Sequence, residues 1–150
     1  MRLNILTHEF NDLPSHLEKR LGAMADHILV DQKRYKSKIN LKLVSSAEMI
    51  KLNKEFRDKN SDTNVLSFPA SEGMQKISGE LGDIAMSIPY IQTESQNLNR
   101  GAEDHMMHLL AHGILHLLGF DHKADQAANI MEAQEIKYLE LFKITNPYLT

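Results

Sequence analysis

The stretch AEDHMMHLLAHGILHLLGFDH, residues 102–122, carries the strongest structural pattern in this sequence. Its apolar residues recur at helical spacing, and four histidines fall on one stripe when residues are placed about 100° apart. Those histidines are His105, His108, His112 and His116. We therefore predict a helix from about Ala102 to Leu118. Gly119 is expected to end it, because glycine readily takes the left-handed conformation.

His112, His116 and His122 have the spacing of a metal site. Residues four apart on a helix lie about one turn from each other, so His112 and His116 can bind the same ion. A turn at Gly119 would bring His122 back beside them. Three imidazoles leave one position for water on a tetrahedral ion, which is the pattern of catalytic zinc. We predict a hydrolytic zinc site, which another divalent transition metal could also occupy, and count His112 among the catalytic residues.

The other histidines are expected to have structural roles. His105 and His108 precede the ligand pair on a helix flanked by apolar residues, where a hydrogen-bonded core histidine is more common than a ligand. His8, His16 and His27 lie outside any metal-ligand spacing, so surface or core positions are favoured for them.

The rest of the chain alternates strand and helix patterns. Strands are predicted at 3–5, 39–44, 64–69 and 81–88, and helices at about 15–29, 46–57, 89–99 and 125–142. The polar segment 70–80 indicates an exposed loop or a hairpin extension. No repeat or linker divides the chain, so we predict one α/β (α+β) domain over residues 1–150. It should contain a small mixed sheet of about four strands covered by helices, with the three-histidine site at the end of a central helix.

Composition and charge limit the possible metal ligands, the cellular compartment and the type of partner. Cysteine is absent, which leaves nitrogen and oxygen as metal ligands and indicates a reducing compartment. Without a signal peptide or a stretch able to span a bilayer, a cytoplasmic protein with no membrane contact is expected. The net charge of -3 gives no overall attraction to nucleic acid. Two basic clusters permit an RNA partner without arguing for one: Lys33, Arg34, Lys36 and Lys38, then Lys51, Lys54, Arg57 and Lys59.

The spacing of the three histidines and Gly119 resembles the metzincin zinc motif. The residue after the first histidine is Gly113, where peptidases of that group carry the glutamate that acts as general base. Zinc peptidase chemistry would lack its proton acceptor here. A peptidase is therefore kept only as an alternative.

Three blocks of the sequence resemble the YbeY endoribonuclease family. They are LNKEFRDKNSDTNVLSF (52–68), GELGDIAMS (79–87) and HGILHLLGFDH (112–122). The resemblance implies an α/β core with a three-histidine zinc site. It also implies a zinc-dependent, single-strand-specific endoribonuclease that acts in 16S rRNA 3′-end maturation and ribosome quality control. Its implied partners are single-stranded rRNA and the ribosomal small subunit.

Residue by residue, the resemblance assigns the zinc ligands to His112, His116 and His122, and the important arginine of the family to Arg57, which we count with His112 as a catalytic residue. Arg57 could pair with a phosphate through its planar donor fork, whereas from its position alone a surface ion pair would be favoured. Asp58 follows it, where a glycine is common in the family. Asp83 is expected to hydrogen-bond backbone or a site histidine, and Asp121 either to orient an imidazole or to cap a turn.

Three functions therefore remain open from the sequence. The first is the zinc-dependent endoribonuclease, in which zinc acidifies its bound water to a pKa of roughly 7 and polarises a phosphoryl oxygen. The second is a metal-dependent hydrolase of peptides or small molecules. The third is a ribosome assembly factor whose metal site is mainly structural. The sequence leaves the oligomeric state open.

Overall fold

A computed structural model describes residues 2–7 and 13–149, so His8 lies outside the described residues. The described chain contains four strands: β1 (Leu3–Leu6), β2 (Lys38–Val44), β3 (Val65–Pro69) and β4 (Glu80–Ser87). It also contains six helices: α1 (Ser15–Asp31), α2 (Ser46–Arg57), α3 (Glu72–Ser78), α4 (Ile88–Asn97), α5 (Ala102–Leu117) and α6 (Asp125–Leu141). The α+β class is confirmed. Over the described residues, none of these helices is both long and apolar enough to cross a bilayer.

The strands form one mixed sheet in the order β1-β2-β4-β3. β1, β2 and β4 run parallel, whereas β3 pairs antiparallel with β4 and lies at the edge. Side chains of β4 alternate between the two faces of the sheet. Ile84 and Met86 join the larger hydrophobic core, and Ala85 joins a smaller one with Met49 of α2. The mixed four-stranded sheet is as predicted, and its order is set by these pairings.

α5 is the central helix of the fold. It contacts β3 and β4 on one side and α1, α4 and α6 on the others. A Cβ atom on Gly82 of β4 would lie 2.5 Å from the carbonyl oxygen of Phe68 and 2.8 Å from Cδ2 of Leu117. The backbone of the neighbouring strand β3 therefore requires glycine at this position. The side chain of Leu117 packs directly on Gly82 and places the last turn of α5 against β4.

Residues 70–80 differ from the prediction, because most of this segment is the short helix α3. The hydroxyl of Ser71 accepts a hydrogen bond from the Met74 N–H at 3.2 Å, and Gly79 ends the helix with φ 77°. The segment is exposed, as predicted, but the prediction of a loop or hairpin extension was wrong. None of the α3 residues is buried, so no apolar stripe marked the helix, and only its capping residues signalled it.

Candidate metal centre

The end of α5 is built so that the chain turns back over its own last residues. Gly119 has φ 102°, a conformation that favours glycine. The N–H groups of Gly119 and Phe120 donate to the carbonyl oxygens of His116 and Leu115, each at 3.0 Å. These bonds close the helix end and reverse the chain. His122 is thereby returned to the side of His116, as the sequence predicted.

The three histidines predicted as ligands meet in one cluster. One ring nitrogen from each of His112, His116 and His122 lies within 4.8 Å of the other two. Ring centroids are 4.6 Å apart for His112 and His116, 5.4 Å for His112 and His122, and 5.0 Å for His116 and His122. His122 is exposed and the other two are half-buried, so the cluster opens to solvent.

This donor set fits a divalent metal of the zinc type. Three imidazoles and no cysteine or carboxylate make up the group, and it is the only such group among residues 2–7 and 13–149. Burial lowers the pKa of His116, and the nearby His112 and His122 lower it further. The neutral ring that a metal needs is therefore favoured at neutral pH. Three protein donors leave coordination positions that solvent or substrate can take.

A buried carboxylate that the sequence analysis did not predict lies against the cluster. Glu135 of α6 is only 1% exposed. Its Oε1 accepts hydrogen bonds from Nε2 of His108 at 2.7 Å and from the hydroxyl of Tyr148 at 2.8 Å. Its Oε2 lies 3.4 Å from Nδ1 of His112. Burial acts to raise the pKa of Glu135, but the contacts with His108 and His112 outweigh it and lower the pKa to about 2.

A signal for Glu135 was present in the sequence. Met131, Glu135 and Tyr138 recur at helical spacing, and all three are buried on one face of α6. An acidic residue in an apolar stripe is rarely buried unless it is paired. What the stripe could not show was the partner, because His112 belongs to a different helix.

His105 is a buried, hydrogen-bonded residue, as predicted, and His108 is hydrogen-bonded but only half-buried; neither belongs to the metal cluster. Nε2 of His105 donates to Oε1 of Glu94 at 2.6 Å. Nη1 of Arg100 lies 3.3 Å from Nδ1 of His105 and 3.5 Å from Nδ1 of His108. Because the guanidinium can only donate, both histidines accept at Nδ1 and carry their hydrogen on Nε2.

Arg57 is the last residue of α2 and is exposed. In the described part of the chain its guanidinium makes no hydrogen bond or ion pair, so the surface ion pair considered from the sequence is not formed there. Asp58 follows with φ 55° and caps α2 in the left-handed conformation, which explains why glycine suits this position. α2 packs on β4 beside Ala85, and α5 beside Ile84. Within the described residues, no hydrogen bond or ion pair joins Arg57 to the three histidines.

A cavity of about 510 Å³ lies on the α2 face of the sheet, away from the metal cluster. Phe56 and Phe68 line it together with charged side chains of both signs, Lys42, Glu48 and Asp83. Its lining contains none of the three clustered histidines.

Over residues 2–7 and 13–149, neither the Asp83 nor the Asp121 side chain hydrogen-bonds to a histidine of the cluster. Asp83 accepts a hydrogen bond from Nδ2 of Asn40 at 3.0 Å and lies 3.7 Å from Nζ of Lys42. The expectation of a backbone or histidine partner for Asp83 was wrong, because its side chain points to the sheet face opposite α5. Asp121 accepts from the Lys123 N–H at 3.2 Å, which is the turn-capping role considered for it.

Gly113 shows why the metzincin glutamate has no counterpart here. A Cβ atom at this position would lie 3.0 Å from Cδ1 of Ile84 and 3.2 Å from Oγ of Ser67. Residue 113 therefore faces the sheet, where α5 packs tightly, and a carboxylate there would be buried against apolar side chains. A general base cannot be supplied from this position.

Gly113→Glu is expected to destabilise the protein by at least about 3 kcal/mol and to confer no peptidase activity, because it overpacks the sheet contact and buries a carboxylate. Thermal unfolding measures the loss of stability. Gly73→Glu is the matched control, since a Cβ on Gly73 meets nothing within 4 Å. Equal melting temperatures for the two variants would contradict the packing argument.

Comparison with known proteins agrees with this geometry. The family model described as Endoribonuclease YbeY matches residues 6–143. An Endoribonuclease YbeY from Francisella tularensis subsp. novicida is 35% identical over 155 residues, covering 99% of this chain and 93% of the relative. One from Francisella tularensis subsp. tularensis is 34% identical with the same coverage. The solution structure of a Thermotoga maritima protein superposes with a TM-score of 0.66 at 27% identity, covering 99% of this chain and 96% of that one. This chain belongs to the YbeY endoribonuclease family.

Proposed function

We propose that this protein is a zinc-dependent endoribonuclease that cuts single-stranded RNA and acts in 16S rRNA 3′-end maturation and ribosome quality control. Its partners would be single-stranded rRNA and the ribosomal small subunit, which implies action in the cytoplasm. The observation that carries the proposal is the open cluster of His112, His116 and His122 in a chain of this family. Family membership supports the endoribonuclease activity, and the all-imidazole donor set supports zinc or a similar ion.

The residues of the cluster have defined tasks in this proposal. His112, His116 and His122 hold the ion as neutral imidazoles, and the exposed side at His122 leaves room for an RNA strand to approach. A bound zinc ion supplies an acidified water and a Lewis acid for the phosphoryl oxygen. Arg57 is exposed and free to donate its planar fork to a phosphate of the RNA. Arg57 would bind the RNA from the end of α2 and is not one of the metal ligands.

The test compares substrates with one zinc-loaded preparation. We expect cleavage of a single-stranded RNA that spans the 3′ end of precursor 16S rRNA, and no cleavage of the same RNA annealed to its complement. Chelated protein should be inactive until zinc is restored. Turnover of a peptide library in preference to RNA would support the hydrolase alternative instead. Intact RNA at full zinc occupancy would refute the proposal.

A further inference from the structure

We propose that Glu135 is a positioning residue that orients the metal ligand His112. Its carboxylate would hold the hydrogen of His112 on Nδ1 and so leave Nε2 as the nitrogen that faces the metal. The inference rests on the metal centre of the proposed function but not on the RNA substrate. It is argued from the two oxygens of Glu135, which face different partners.

Oε1 of Glu135 is already occupied. It receives the Nε2–H of His108 at 2.7 Å and the hydroxyl of Tyr148 at 2.8 Å. In the bond between His108 and Glu135, His108 is the donor. Arg100 donates toward Nδ1 of His108, so the ring carries its hydrogen on Nε2, the nitrogen that faces Glu135. His108 is therefore a hydrogen-bond donor to Glu135 at Nε2.

Oε2 of Glu135 has one neighbour suited to it. This atom is buried and makes no hydrogen bond within the described residues, and Nδ1 of His112 lies 3.4 Å away. A buried carboxylate oxygen without a donor is costly, so an N–H at this nitrogen is favoured. In the part of the chain that the structure describes, Glu135 forms no ion pair with lysine or arginine. Its neighbours there among the basic side chains are the histidines His108 and His112.

The orientation has a direct chemical consequence for the metal. A neutral imidazole binds metal through the nitrogen that lacks a hydrogen, and the hydrogen bond made by the other nitrogen decides which one this is. A carboxylate behind a ligand histidine also raises the basicity of the ring. Glu135 would thus both aim Nε2 of His112 and strengthen its bond to the ion. Loss of such a partner weakens metal affinity by about 10- to 100-fold.

The test is zinc affinity, measured by competition with a chromophoric chelator in wild-type protein, Glu135→Gln and Glu140→Gln. Glutamine keeps the shape of the side chain but cannot accept from His108, Tyr148 and His112 together. We expect Glu135→Gln to bind zinc about 10- to 100-fold more weakly. Glu140→Gln should bind like wild type, because Glu140 is an exposed residue of the same helix.

Nitrogen-15 NMR of the metal-free wild-type protein gives a second readout that requires neither a stable variant nor activity. We expect the His112 ring to carry its hydrogen on Nδ1. A hydrogen on Nε2, or unchanged zinc affinity in a folded Glu135→Gln protein, would overturn the proposal. Both measurements are independent of RNA cleavage, so an inactive protein that still showed the expected affinity loss would refute the nuclease and leave the role of Glu135 intact.

Discussion

His116→Ala is expected to abolish zinc binding at the cluster and to lower RNA cleavage by at least about a thousandfold, since the activated water and the Lewis acid are lost together. His116 contacts both other ligands, so its removal leaves two imidazoles that cannot hold the ion in a three-donor site. Single-turnover cleavage of the single-stranded RNA and zinc content per chain are the two measurements.

His16→Ala is the matched control for this change. His16 is an exposed histidine hydrogen-bonded to Glu103, and exposed pairs of this kind contribute little to stability. We expect zinc content and cleavage to match wild type in this variant. If His116→Ala cleaves RNA as fast as His16→Ala, the metal at this cluster is not required for the reaction.

Thermal unfolding of the same variant separates an enzyme from an assembly factor with a structural metal. The larger hydrophobic core includes residues of α1, the sheet, α5 and α6, and it consists of apolar side chains, none of which is a candidate metal ligand. His116→Ala is therefore expected to remain folded, losing only the stabilisation that bound zinc adds. Unfolding of the variant at room temperature would instead favour the structural role.

Arg57→Ala is expected to lower kcat/KM for RNA by about 10- to 100-fold, which corresponds to losing hydrogen bonds between a charged donor and a phosphate. Arg57→Lys should fall between this variant and wild type, because lysine keeps the charge but not the planar fork. We expect the zinc affinity of both variants to equal that of wild type, because Arg57 makes no hydrogen bond to the three histidines within the described residues. Steady-state kinetics on the single-stranded RNA measures the effect.

Lys54→Ala is the control for Arg57, because Lys54 is another exposed cation in the last turn of α2. A loss confined to Arg57→Ala indicates a specific phosphate contact. Equal losses in the two variants would show that α2 attracts RNA only through its general positive charge, and the assignment of Arg57 as a catalytic residue would then be wrong. A higher KM with unchanged kcat would place its phosphate contact in substrate binding rather than in the transition state.

The predicted elements are confirmed where the determining contacts are local in the chain. The bounds of α2 and α5 agree with the predictions to within one residue, because apolar spacing and end signals lie within the segments themselves. The cluster of His112, His116 and His122 was predicted for the same reason, since it needs only one helical turn and one glycine-dependent reversal. α3 is the local exception, because a helix that buries nothing has no apolar pattern.

The strand and helix pattern apart from α3, the central helix and the three candidate ligands could be predicted from the chain, because each follows from residues within a turn or two of each other. The order β1-β2-β4-β3 and the Asn40 partner of Asp83 follow from the packing of elements that are distant in the chain. The same packing places Glu135 behind His112 and leaves Arg57 exposed at the end of α2. These facts depend on which faces of distant elements pack together, and that choice is made by burial of the whole core rather than by spacing along the chain.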